Sequence, residues 1–331
     1  MMRRLILFVC IAWWVPVLVA CQAPAAPSPM PTSEAAKQLR VVATTSIVGD
    51  VVRQIGGDAI QLSVIVPIGA DAHAYEASPQ DIARVAEADL IFAVGAGLEQ
   101  HFLDRLLEQT GKRGAARQLA EGIPLLAFEG HEEEHSHERE RHKHKEGEAH
   151  HHRHDSEVDP HLWMDPNNVI TWTHTIETAL SQADPGRADL YRRNAEAYRA
   201  ELRKLDEWIR EQVSQIPPEN RKLVTDHRVF GYFARRYGFQ QVGTIIPGVS
   251  TAAEPSAQEI AKLQETIRDL NVKAIFVSST ISPSVAEQIA KDIGIPLVRL
   301  YMETLSEPGG EADSYITMMR YNVQAIVRSL R

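Results

Sequence analysis

The sequence predicts an α/β protein with two lobes. Each lobe carries a roughly four-stranded parallel sheet flanked by helices, and one long rigid α-helix joins them. Three observations lead there. From Arg40 onward, short β-branched runs alternate with amphipathic runs, the pattern of βαβ units whose strands lie parallel. An apolar stripe at Tyr191, Tyr198, Leu202, Leu205, Ile209 and Val213 keeps a helical period, over a stretch of about 30 residues. A second βα series follows the stripe, and 331 residues leave room for about two domains.

Residues 1–20 read as a secretory signal. Arg3 and Arg4 precede an apolar run to Ala20 that is too short for a membrane span. The run ends Leu18-Val19-Ala20-Cys21, which resembles the bacterial lipoprotein signal, cleaved before a cysteine that is then lipidated. Cys21 is therefore the expected lipid anchor. Residues 21–38 are rich in Ala, Pro and Ser, cannot bury enough apolar surface to order themselves, and read as a disordered tether.

The first lobe spans 39–183. Its strand candidates are Arg40–Thr44, Ile60–Val66, Leu90–Val94 and Pro124–Phe128. Its helices are expected at Ile47–Ile55, from Ser78-Pro79, at Glu99–Gln109 and from Pro166. Ser78 and Asp165 stand where N-caps belong, with Pro in the first turn behind each. A polar stretch, residues 130–156, interrupts this lobe. The long helix occupies 184–216, opened by Asp184-Pro185 and stopped by Pro217-Pro218, and is expected to act as a rigid spacer. The second lobe, 217–331, offers strands at Lys222–Thr225, Gln241–Ile246, Ala274–Val277 and Pro296–Leu300. Helices are expected at Phe230–Tyr237, Ser256–Leu270, Pro283–Ile293 and from Asp313 to the end. Ser256 and Glu259 form a capping-box pair.

A net charge of −9 argues against a nucleic-acid partner, which needs a basic face. Cys10 and Cys21 are the only cysteines, so the mature chain has neither a disulfide nor a thiolate metal site.

Histidine carries the chemistry. Of 14 histidines, nine crowd into 130–156: His131, His135, His137, His142, His144, His150, His151, His152 and His154. Neutral imidazole is the commonest ligand for zinc-like metals, and this tract reads as a set of auxiliary, weak metal sites. Of the other five, His101 and His174 fall in helical runs and read as ordinary surface or packing residues. His73, His161 and His227 fall just past strand ends, where open α/β sheets bind ligands. Three such residues could converge in a crevice between lobes, and a carboxylate would complete a tetrahedral set. Asp313, before the last helix, is the candidate.

These residues carry a family resemblance. The segments Gly69–Glu76, Asp159–Pro166, Thr225–Arg235 and Asp313–Asn322 resemble those of the zinc-binding, solute-binding proteins of bacterial ABC metal importers, the ZnuA/TroA-like group. The resemblance covers Arg40 to Arg331. It implies a monomer that captures Zn2+ outside the cytoplasm, held to the membrane by its lipid, and hands the ion to an ABC permease. It implies His73, His161 and His227 as ligands and Asp313 as the fourth. Manganese members tend to carry Glu at the third position; His227 here points to zinc as the transported ion, ahead of manganese, because manganese prefers oxygen ligands. Ala72 and Ala77 depart from the family's usual prolines.

The alternatives are a manganese- or iron-binding importer component, a metal-dependent adhesin and, more remotely, a zinc metallopeptidase. The last rests on His131-Glu132-Glu133-Glu134-His135, which fits a zinc-protease pattern but sits in a charged run without an apolar face. Gly95-Ala96-Gly97 lacks the third glycine of a dinucleotide fingerprint and reads as a tight βα turn. No enzymatic activity is expected.

Overall fold

The structure is a computed structural model and describes residues 38–127, 158–247, 251 and 253–331. The expected signal, the tether up to Lys37, Cys21 and all nine tract histidines lie outside the described residues. Gln38–Arg331 forms one compact unit.

Two four-stranded parallel sheets organise it. The first contains β1 (Leu39–Ala43), β2 (Ile60–Val64), β3 (Leu90–Ala93) and β4 (Ala116–Gln118), in the order β2-β1-β3-β4. The second contains β5 (Lys222–Thr225), β6 (Gln240–Thr244), β7 (Ile275–Ser278) and β8 (Leu297–Leu300), in the matching order β6-β5-β7-β8. Every named strand pair is parallel, so all carboxyl ends within a sheet open on one side.

The fourth strand corrects the sequence expectation. It is Ala116–Gln118, paired with β3, while Pro124–Leu126 carries no strand and Ala127 makes only an isolated antiparallel bridge to Val158. Phe128 lies outside the described residues. The apolar run at 124–128 looked more strand-like than Ala-Arg-Gln. An edge strand needs only backbone pairing on one side, which does not require apolar side chains.

Helices begin where side chains can satisfy their first N–H groups. Thr45 caps α1 (Ser46–Gly56), and Ser78 and Asp81 form a reciprocal capping box on α2 (Pro79–Glu87). Next comes α3 (Leu103–Gln109), shorter than expected because residues 99–102 form turns. Asp165 caps α4 (Pro166–Ala183).

The long helix is α5 (Ala188–Val213), 26 residues, preceded by a single 3-10 turn at Pro185–Arg187. Its apolar stripe is fully realised: Tyr191, Tyr198, Leu202, Leu205, Ile209 and Val213 are all buried. Each such side chain contributes about 1.5–3 kcal/mol on burial. The long helix the sequence calls for is present, and it contacts α1, α4 and the last helix, α9 (Tyr315–Leu330). One continuous apolar core runs from the first sheet, past α4 and α5, to α9.

The second half adds α6 (Gly231–Tyr237), α7 (Ala257–Asp269) and α8 (Ser284–Ile293). The Ser256–Glu259 capping box on α7 forms as its sequence implies. Gly238 ends α6 with φ near 74°, a left-handed conformation in which glycine has no Cβ penalty.

Candidate metal centre

The carboxyl ends of both sheets face one buried point. The loop after β2 brings His73, the return after β4 brings His161, and the loop after β5 brings His227. The fourth group is Glu303, three residues past β8. The Nε2 atom of His73 lies 3.1 Å from that of His161 and 3.1 Å from Glu303 Oε1. His227 Nε2 is 3.1 Å and His161 Nε2 is 3.7 Å from the same oxygen. One donor atom from each of the four falls within 4.8 Å of all the others. A four-coordinate zinc with bonds of about 2.0–2.1 Å separates its ligand atoms by about 3.3 Å, so the set is already spaced for one ion.

The expected fourth residue, Asp313, is elsewhere. It is exposed, accepts the Gly309 N–H at 3.1 Å and lies 3.2 Å from Thr317 Oγ1. It tidies the start of α9 and contributes no atom to the cluster. His101 is exposed in a turn before α3, and His174 is exposed on α4, 3.5 Å from Arg199.

Hydrogen bonds fix which nitrogen of His161 and of His227 faces inward. His161 Nδ1 lies 2.7 Å from Asp159 Oδ1, and His227 Nδ1 lies 2.8 Å from Asp226 Oδ1. A ring that donates its Nδ1–H to a carboxylate presents the Nε2 lone pair on the other side, the arrangement that orients metal-binding histidines. The same aspartates accept the backbone N–H of their histidines, and Asp71 does so for His73 at 2.8 Å. The result is that His227 Nε2 and Glu303 Oε1, both buried, face one another 3.1 Å apart. Buried lone pairs pointing together are costly unless a proton or a cation sits among them.

The electrostatics agree. Burial alone would lower the His227 pKa, but the Glu303 and Asp226 carboxylates override it and hold the ring well above the usual histidine range. Burial opposes charging of His161 too, and Asp159 and Glu303 again raise it. Burial pushes Glu303 up, yet the His227 charge and hydrogen bonds from the imidazoles hold it well below the usual carboxylate range. The cluster wants positive charge.

Glu303 is held by both halves of the molecule. Thr280 Oγ1 donates to its Oε2 at 3.1 Å. Its neighbours are pinned by the first half: Trp163 Nε1 donates to Met302 O at 2.7 Å, Gly69 N to Thr304 Oγ1 at 3.0 Å, and Leu305 N to Ser46 Oγ at 3.1 Å. The rule that singled out the histidines, position just past a strand's carboxyl end, marks Glu303 better than Asp313. The flanking Leu-Tyr-Met and Thr-Leu disguise it as core.

No helix among the described residues is long and apolar enough to cross a membrane. Residues 41–329 match the family described as zinc-uptake complex component A, periplasmic. The chain is 31% identical over 325 residues to the manganese-binding lipoprotein MntA of Halalkalibacterium halodurans, covering 97% of this chain and 98% of that protein. It is 32% identical over 320 residues to the manganese ABC transporter substrate-binding lipoprotein PsaA of Streptococcus mitis, covering 95% and 94%. Among solved structures, the periplasmic zinc-binding protein TroA from Treponema pallidum superposes with a TM-score of 0.76 at 27% identity, covering 89% of this chain and 99% of TroA. The chain belongs to the ZnuA/TroA-like family: it is an extracytoplasmic, membrane-anchored substrate-binding component of ABC importers of divalent metals, and not an enzyme.

Proposed function

We propose that this protein captures Zn2+ at His73, His161, His227 and Glu303 and delivers it to the permease of an ABC importer. The observation that carries the reading is the donor set. Three imidazoles with one carboxylate suit zinc, whereas manganese favours oxygen ligands. All four donors come from one chain, so a monomer suffices. Cys21 is the lipidated residue, and the histidines between 131 and 154 act as weak collectors.

A second reading, a manganese importer component, has its own support, since the relatives above are named for manganese. In-vitro affinity alone does not separate the two, because N/O sites generally bind zinc more tightly than manganese. Growth does. A strain lacking this gene should fail under zinc limitation and recover with added zinc. Recovery with manganese and not with zinc would establish the second reading.

A further inference from the structure

We infer that Gly231 and Tyr232, at the start of α6 in the second half, are positioning residues for His161, a ligand supplied by the first half. They act through Asp159. The inference rests on the metal-site reading above and assigns part of the tuning of that site to residues that never touch the ion.

Asp159 is 4% exposed. Its Oδ1 receives the backbone N–H of His161 at 2.9 Å and lies 2.7 Å from the ring's Nδ1. The tilt of that carboxylate therefore sets the direction of His161 Nε2. Hydrogen bonds on the Asp159 backbone and the room beside its carboxylate set its place. The Asp159 N–H donates to Leu126 O at 2.8 Å. The Tyr232 hydroxyl donates to the Asp159 backbone O and accepts the Leu126 N–H, each at 3.1 Å, tying the two backbone segments together. Gly231 leaves the room: a Cβ built there would overlap Asp159 Oδ2, with Leu126 Cδ1 close behind at 3.6 Å. Gly231 has a negative φ, as it is absent from the positive-φ glycines, so backbone freedom is not why glycine is needed. Space for the carboxylate is.

Removing partners behind a metal ligand costs about tenfold to a hundredfold in metal affinity. G231A forces the Asp159 carboxylate aside and turns His161 with it. Y232F removes one hydroxyl and leaves the ring in place. Y237F is the control. Tyr237 lies on the same short helix and donates to Asp206 Oδ1 at 2.8 Å, far from Asp159 in the hydrogen-bond network.

The test is calorimetric zinc titration of the full chain and of G231A, Y232F, Y237F and H161A. Visible spectra of the cobalt-loaded forms and melting temperatures of the metal-free forms accompany it. The expected result is weaker zinc binding and an altered cobalt spectrum for G231A and Y232F, with Y237F lowering the melting temperature while binding zinc normally. If G231A does not fold, Y232F against Y237F decides. Zinc affinity and cobalt spectra unchanged in Y232F would overturn the inference. An unchanged affinity in H161A would instead overturn the metal-site reading beneath it.

Discussion

Replacing Glu303 by Gln removes one negative charge from the cluster and almost no volume. The side chain is wholly buried, and its Oε1 is within 3.1 Å of two imidazole nitrogens. A complete four-ligand zinc site is worth about 10–16 kcal/mol at neutral pH. One ligand's share is then about 2.5–4 kcal/mol, or roughly two to three powers of ten in affinity. The loss should be largest at high pH. Glu303 is the leading reason that the His227 pKa is raised, so in the unsubstituted protein protons compete with zinc for the same buried anion. Glu303→Gln weakens both competitors, and the gap between the two proteins narrows as pH falls. Asp313→Asn makes the matched control, because that carboxylate is exposed and serves Gly309 and Thr317. Zinc titrations by calorimetry or chelator competition at pH 6 and pH 8 read both effects. Normal zinc binding in Glu303→Gln, or a comparable loss in Asp313→Asn, would refute the reasoning.

Other outcomes follow from the same geometry. Asp226→Asn should weaken zinc binding about tenfold to a hundredfold, measured by competition titration, because Asp226 orients His227 and also accepts the Ser278 N–H. Stability should respond to pH with opposite signs in the two forms. Folded His161 and His227 are raised above the ordinary 6.5, so their contribution is complete below 6.5 and is lost as pH rises through the raised values. Glu303 is depressed below the ordinary 4.5, so its contribution holds above 4.5 and is lost as pH falls through the lowered value. Zinc binding strengthens as those protons leave. The melting-temperature gap between zinc-loaded and metal-free protein should widen from pH 6 to pH 8, and a constant gap in thermal scans would count against the linkage. Deleting residues 130–156 should remove weak zinc sites and leave one tight one; equilibrium dialysis showing loss of the tight site would contradict that.

Much of this architecture was legible because the relevant signals are local. Caps at Ser78, Asp165 and Ser256 place their helices, since a side-chain oxygen two or three residues before a free N–H acts within one turn. Strands buried on both faces announce themselves as β-branched runs. What escaped notice depends on distance. β4 has no apolar signature because it borrows its order from β3. The long helix was legible from its apolar stripe, but its packing on α1 and α9 was not, because those helices are remote in sequence. The three histidines were visible as rare residues at strand ends. Glu303 was not, because an acidic residue inside Leu-Tyr-Met-Glu-Thr-Leu gives no local hint that three imidazoles will neutralise it. Asp313 matches the resemblance and stands before a helix, a position that also fits its contacts with Gly309 and Thr317 at the start of α9.

The most direct test is X-ray absorption at the zinc edge on protein lacking residues 130–156 and loaded with one equivalent of zinc. The account predicts a four-coordinate shell at about 2.0–2.1 Å, with scattering from three imidazoles, reduced to two in His227→Ala. An oxygen-rich or six-coordinate shell, or a spectrum indifferent to the loss of His227, would contradict it.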